Sequence, residues 1–359
     1  MYSKRFAAIA LSLLVAGCAI HPLPEDVTGV DTAGIVKQIR CETRDAAREM
    51  IRKQLEKLAT YSDEATATIA KNLLAQYAEN VELMTEFNPS RSFPGPDYAQ
   101  IRNIFNLFNS GAIAYSFELT MHEDNNLGST NNFLGPWNNK LMLNLMGDFN
   151  RSRENYRTFT IADKFSFLLK ELNTPKNGHY YCDGQIAVAN YIYPIAGRIG
   201  VYKMVYDFFQ MSIFDNLAAQ KAAPGAVGAP AMGEKLTFTT TLDLTVGPKV
   251  TFAPFVKGFQ VTDAAFTGIV KRVDMHLVTV GLALEPNGIV ALTSLRGYVF
   301  SGAGLGGTRL ATSGPRGGQT LILNRITAAA TSNAEALALV QIDQIKSRDL
   351  QIVPTLTSP

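Results

Sequence analysis

The sequence is poor in charge and has almost no surplus of either sign. Of its 359 residues 18% are Asp, Glu, Lys or Arg, with 33 basic side chains against 31 acidic ones. Lys4 and Arg5 lie in a segment expected to be removed, which leaves the remainder neutral. Neutralising nucleic-acid phosphates needs an excess of Lys and Arg on one face, so no nucleic-acid partner is expected. The three cysteines include no Cys-x-x-Cys, which removes the usual support for a thioredoxin-like redox site or a Cys-rich zinc site. There is no Gly-x-Ser-x-Gly nucleophile elbow. The glycine run from Gly302 to Gly307 lacks the Gly-Lys-Ser/Thr ending that gives a phosphate loop its charge and its magnesium ligand. Beyond the N-terminus no uninterrupted apolar run reaches the ~18 residues of a membrane-spanning helix. What the chain does have is apolar material, 47% hydrophobic, enough for one large domain or two smaller ones and too much for a disordered protein.

The first residues read Met-Tyr-Ser-Lys-Arg, followed by the short apolar stretch Phe6 to Val15, interrupted by Ser12, and then Ala16-Gly17-Cys18. A basic segment, an apolar segment too short to span a bilayer and small residues before a cut form a signal peptide, residues 1–17. The stretch Val15-Ala16-Gly17-Cys18 resembles the lipobox of bacterial lipoproteins, with Val15 where Leu is commoner. The resemblance implies that the Cys18 thiol takes a diacylglycerol, that cleavage precedes it, and that its new amino group is acylated, palmitate being the expected fatty acid. Two or three acyl chains give a stable anchor where one gives a marginal one. Ala19, rather than Asp, at the next position implies sorting to the outer membrane. Residues 18–30 then form anchor and spacer, because the prolines of His21-Pro-Leu-Pro-Glu-Asp hold the chain extended. The stretch from His21 to Asp45, with its run Ile-Arg-Cys-Glu-Thr-Arg-Asp, also resembles the starts of bacterial lipoproteins of unknown function and implies no activity.

Cys41 and Cys182 remain, an even pair in an oxidising compartment, and are candidates for a disulfide; the alternative is two separate buried thiols.

The apolar spacing predicts a helix from Asp31-Thr32 to about Ala59, a second from Ser62-Asp63-Glu64 whose stripe runs through Tyr77 to Val81 and Met84, a third from Asp97 to Phe108, and another from Arg198 to Phe214. Alternation with period two predicts strands at Ile113 to Met121, Leu141 to Leu145, Tyr156 to Ile161, Leu236 to Val246, Val250 to Phe255 and His276 to Leu284, with Asn-rich turns after the first. Ile289 to Leu295 reads as a strand pairing back after Pro286-Asn-Gly288. Ser301 to Gly318 reads as a loop and Ala328 to Ile345 as a last helix. The fold class is therefore α+β: N-terminal helices on antiparallel strands over 31–216, a flexible linker over 217–234, a β-rich unit with a C-terminal helix over 235–345, and a tail over 346–359. Sliding the first strand region by about 119 residues sets Arg153 on Arg272, Asn155 on Asp274, Arg157 on His276 and Thr160 on Thr279, a faint sign of duplicated sheet units.

Candidate chemistry is sparse. His122-Glu123-Asp124 gathers metal-ligating types, but consecutive residues of an extended segment point in alternating directions, and a solvated turn beside Asn125-Asn126 is the plainer reading; no metal or other cofactor is expected. His179 near Cys182 and Asp183 suggests a thiol with a base only if Cys182 is free. Arg151, Arg153 and Arg157 share a face at strand spacing and form a candidate site for an anionic lipid or glycan, against the plainer reading of a salt-bridged exposed face. The favoured function is a non-enzymatic envelope binding or scaffold protein with an envelope protein or glycan as partner. The alternative is a periplasm-facing hydrolase with a site assembled around His122 or His179. An outer-membrane barrel over residues 113–300 fits the alternating segments, but the helix-rich first hundred residues and the shortage of regularly spaced ~10-residue strands count against it.

The stretch from Leu217 to Glu234, rich in Ala, Gly and Pro, offers little side-chain area against the ~1–2 kcal/mol per residue lost on ordering its backbone. Limited proteolysis of the folded chain is expected to cut there first; protection of this stretch while other loops are cut contradicts the assignment.

Overall fold

The computed structural model describes residues 21–134, 142–176, 178–217, 229–247, 249–251, 260–299 and 333–352. Cys18, the glycine run at 302–307, residues 218–228 of the expected linker and most of the expected loop and tail lie outside the described residues. In chain order the helices and strands are α1 (Glu25–Thr28), α2 (Thr32–Tyr61), α3 (Glu64–Glu79), α4 (Pro89–Ser92), α5 (Ala99–Asn109), β1 (Gly111–Leu134), β2 (Met142–Lys164), α6 (Phe165–Lys170), α7 (Val201–Phe214), β3 (Ala231–Val246), β4 (Lys249–Thr251), β5 (Gln260–Leu284), α8 (Pro286–Val299) and α9 (Asn333–Ile352). The fold is α+β, with N-terminal helices and an antiparallel five-stranded sheet ordered β2-β1-β5-β3, β4 pairing with β5. Among the described residues no helix is long and apolar enough to cross a membrane.

The chain divides into two compact units, and the limits fall inside the long strands. One comprises the N-terminal segment up to Thr32 with Leu119–Arg157 and Thr239–His276; the other comprises Ala33–Glu118, Thr158–Phe238 and the chain from Leu277 onward. These are not the consecutive blocks 31–216 and 235–345 that composition suggested, because β1, β2, β3 and β5 each contribute to both units. The end of the expected linker is also corrected: Ala231 to Glu234 already belong to β3.

Several elements differ from the spacing-based expectation for identifiable reasons. The second helix stops at Glu79, since Asn80 leaves the helical region at φ −146° and its side chain caps a separate 3₁₀ turn, Val81–Glu86, that carries Val81 and Met84. The Asn-rich stretch after Met121 is strand, not turn, and the two short segments expected at 141–145 and 156–161 are one strand, β2. β1 lies between β2 and β5, so its backbone groups have ladder partners on both sides and context overrides the low strand propensity of Asn. Ile289 to Leu295 is helical, within α8: Pro286 suits a first helical turn, and Ala291, Leu292 and Leu295 are buried at helical spacing. The segment 346–352, expected as tail, continues α9.

In the larger unit, α2 lies on the sheet through the run Arg40 to Arg44. Arg40 makes a two-pronged ion pair with Asp163 of β2 at 2.7 and 2.6 Å, and the Thr43 hydroxyl meets the Tyr115 hydroxyl of β1. Burial, with Asp163 adding to it, pushes the Tyr115 phenol well up, so it stays a neutral hydrogen-bonding group. Arg44 and Arg48 both reach Glu82, at 2.5 and 2.8 Å. Glu42, 1% exposed, accepts the backbone N–H groups of Ile199, Gly200 and Val201 at 2.8 to 2.9 Å and so caps α7. Gly200 enters that helix at φ +91°, which favours a residue without Cβ. The other side of the sheet carries α9, so close that a Cβ at Gly281 would stand 2.0 Å from the Ala338 carbonyl oxygen. Phe87, Phe93, Phe105, Phe108, Phe209 and Phe165 form a continuous aromatic chain beneath the helices.

Cys41 and Cys182 are disulfide-bonded, with Cα atoms 5.7 Å apart, fastening α2 to the loop before α7. The bond closes a loop across 141 positions. Replacing both cysteines by Ala is expected to lower the unfolding free energy by up to about 5 kcal/mol, read as a reduced urea midpoint. An unchanged midpoint contradicts this.

Candidate functional site

The smaller unit holds a row of buried and half-buried polar side chains, and strand alternation builds it. On β2, Arg153, Asn155 and Arg157 occupy every second position; on β5, Arg272, Asp274 and His276 do the same. β1 runs between these strands and places Glu123 in the row. Arg153 donates to Glu123 at 2.8 Å, and Asn125 donates to the same oxygen at 2.5 Å. Burial pushes the Glu123 carboxyl up, but the Asn125 and Arg153 hydrogen bonds and the charges of Arg153 and Arg272 outweigh it and hold the group below the usual carboxylate range. Arg272 grips Asp274 with two N–H groups at 2.9 and 3.0 Å, and Asp274 and His276 are each 1% exposed.

The N-terminal segment is strapped across this row. Arg272 donates to the Leu23 carbonyl and lies 3.6 Å from Asp26, Asn155 donates to the Pro22 carbonyl at 2.9 Å, and Arg157 donates to the Thr32 hydroxyl. Asp26 also accepts from the Leu23 N–H at 2.7 Å, which folds the strap back on itself before α1. The spacer read as merely extended is thus docked by side chains from two strands. The sequence held one signal of this: the 119-residue offset that pairs Arg153 with Arg272 aligns the β2 and β5 triplets that line the row.

The opposite alternation carries His122 and Asp124. The imidazole lies 3.1 Å from Asp124 and 3.9 Å from Glu154. Asp124 is held below the usual carboxylate range by the Ser152 hydroxyl and by His122. Here the carboxylate sits between hydroxyl and imidazole, whereas activating a serine requires the imidazole in the middle. Glu123 points the other way, so His122, Glu123 and Asp124 do not converge, and all three are on strand β1 rather than in the solvated turn expected beside Asn125-Asn126. Among the described residues no three His, Cys, Asp or Glu side chains are grouped to hold a metal ion. Cys182 is consumed by the disulfide, which removes the thiol that His179 would have activated. Of the three arginines singled out as an anion site, Arg153 and Arg157 are engaged in the row; Arg151 is exposed and stacks over Phe149 at 5.2 Å.

The profile of a family described as "Uncharacterised protein y4kA" matches residues 21–290. The chain belongs to this family. The uncharacterized protein y4kA of Sinorhizobium fredii (strain NBRC 101917 / NGR234) is 29% identical over 283 residues, covering 78% of this chain and 82% of that one. The strap, the polar row and the Arg40 to Arg44 run all fall inside the part matched by the y4kA profile. Among solved structures, the Salmonella SPI-1 type III secretion injectisome secretin InvG aligns over 59% of this chain and 78% of its own at 9% identity and a TM-score of 0.21. The β-barrel secretin domain of InvG aligns over 59% and 76% at 9% identity and a TM-score of 0.22. Scores this low carry no correspondence of fold or role.

Burial, with the neighbouring Arg272 charge, pushes the His276 imidazole down to about 4 despite the opposing pull of Asp274. Above pH ~6.5 the ring is neutral in the folded and unfolded chain alike; between ~6.5 and ~4 only the unfolded chain takes the proton, so stability is lost as pH falls through that window. The loss attributable to this group is about 3 kcal/mol. Urea midpoints measured from pH 7 to pH 4 are expected to fall in the wild type and to fall less in His276→Gln; parallel curves contradict the assignment.

Proposed function

We propose that the chain is an exported lipoprotein, acylated at Cys18, that is held at the outer membrane facing the periplasm and acts there as a non-enzymatic binding or scaffold protein. The observation that carries this reading is the strap. Pro22 stands four residues after Cys18, and four extended residues reach about 14 Å at most. A chain docked from Pro22 onward by Arg272, Asn155 and Arg157 therefore keeps the folded body within that distance of a lipid on Cys18. A loose tether would make no use of a buried Arg272-Asp274 pair, whose desolvation costs several kcal/mol per ion unless hydrogen bonds offset it. Cys182 is bonded to Cys41, and Asp124 rather than His122 holds the middle place beside Ser152, so neither His179 nor His122 adds support to the hydrolase alternative.

A Cys18→Ser variant is expected to lose incorporation of a fatty-acid label, because serine cannot form the thioether to diacylglycerol, and to leave the outer-membrane fraction on density-gradient separation. Equal labelling of variant and wild type contradicts the anchor.

A further inference from the structure

Four helices of the larger unit, α2, α5, α7 and α8, surround a cavity of about 250 Å³. The two longer of these helices that supply most of the lining turn one stripe to it at three- and four-residue spacing, Met50, Lys53 and Lys57 on α2 and Phe209 and Ile213 on α7. The lining falls into two chemically distinct parts. Met50, Phe108, Phe209 and Leu295 are buried, and their side chains bring no nitrogen or oxygen atom. Lys53 and Lys57 are exposed and stand at the mouth. Gln210 and Tyr206, also in the lining, satisfy each other, the amide donating to the hydroxyl at 2.6 Å.

The mouth has a surplus of positive charge. From Glu49 to Lys57, α2 carries two carboxylates and three cations. Both carboxylates are engaged within that stretch: Arg52 reaches Glu49 and Glu56, and Lys53 lies 3.2 Å from Glu56. The Lys57 ammonium is therefore the charge left over. Ligand sites combine an apolar interior with a few polar groups that fix orientation. A floor without polar atoms excludes sugars, nucleotides and peptides, whose buried polar groups would go unpaired. The volume lies below the ~300–1,000 Å³ of sites for drug-sized ligands, and so suits one alkyl chain rather than the two of a phospholipid. The lysine surplus complements an anionic head and repels a cationic one.

We propose that this cavity binds a medium-chain carboxylate, the alkyl tail lying against Met50, Phe108, Phe209 and Leu295 and the carboxylate meeting the Lys57 ammonium. All of these residues belong to the larger unit, so the site is independent of the anchor at Cys18.

Isothermal titration calorimetry of the full chain carrying Cys18→Ser, which leaves no acyl chain of its own to compete, tests this with decanoate as the probe. One decanoate per chain is expected to bind saturably, with decyltrimethylammonium and decanol weaker by about tenfold or more, as loss of a charge-assisted hydrogen bond implies. Lys57→Glu is expected to weaken decanoate by at least as much and to reverse the preference toward decyltrimethylammonium. Ile213→Trp and Ile104→Trp, each placing a bulkier side chain in the cavity, are expected to abolish decanoate binding. Near-ultraviolet circular dichroism matching the parent chain marks the variants that are folded. Lys57→Glu changes an exposed position, so a misfolded tryptophan variant leaves the test intact. No saturable binding of decanoate overturns the proposal. So does equal affinity for the three probes, and so does undiminished decanoate binding by folded Lys57→Glu or by a folded tryptophan variant.

Discussion

The arrangement of the larger unit depends on one buried carboxylate. Glu42 sits on α2 with both oxygens turned to the start of α7, where three consecutive backbone N–H groups would otherwise be left without partners. Removing a carboxylate from water costs several kcal/mol, and it is offset here by three charge-assisted hydrogen bonds and by the positive end of the α7 dipole. Its neighbours in the chain each fix a different element. Arg40 holds β2 through Asp163, Cys41 holds the loop before α7 through Cys182, Thr43 holds β1 through Tyr115, and Arg44 holds the turn after α3 through Glu82. Five successive residues of one helix thus tie down five separate parts of the chain. This is a physical reason for the composition of the Ile-Arg-Cys-Glu-Thr-Arg-Asp run: its charges are structural fasteners.

Much of the helical layer was legible from the sequence. Asp63 announced the start of α3, and it accepts the Thr66 N–H at 3.0 Å and its hydroxyl at 2.6 Å. The apolar stripes located α2, α5 and α7 to within a few residues, and the even count of cysteines left after Cys18, with the compartment expected from the leader, favoured the disulfide. What the sequence hid were partners distant along the chain. The backbone amides that Glu42 caps lie 157 to 159 residues away and leave no side-chain signature. The length of the strands was hidden as well, because Asn and Gly in 125–132 suggest turns in isolation and only flanking strands on both sides make them sheet. Ile289 to Leu295 was read as a strand and Pro286-Asn-Gly288 as the turn before it, because a short apolar run does not by itself separate strand from helix, whereas Pro286 in fact opens α8.

The candidate site was legible in part. Arg153 and Arg157 were recognised as sharing a face, and the 119-residue offset connected them to Arg272 and His276. That their role is to dock the chain's own N-terminal segment depends on Leu23, Pro22 and Thr32 accepting hydrogen bonds through main-chain or hydroxyl oxygens, which no pattern of side-chain types announces. Of the residues first considered as an anion site, Arg153 and Arg157 are engaged by Glu123 and by the internal strap, which weakens the reading of this face as a ligand-capture site.

The central claim, that Glu42 organises the larger unit by capping α7, is tested most directly by hydrogen–deuterium exchange of the peptide spanning Ile199 to Val205 in wild type and Glu42→Gln. A neutral amide keeps the size of the side chain but offers one acceptor oxygen in place of two. The account predicts faster exchange at Ile199, Gly200 and Val201 in the variant, together with loosening of the loop joined to Cys41, while exchange in α5 is unchanged. Equal protection of those three amides in both proteins would contradict it.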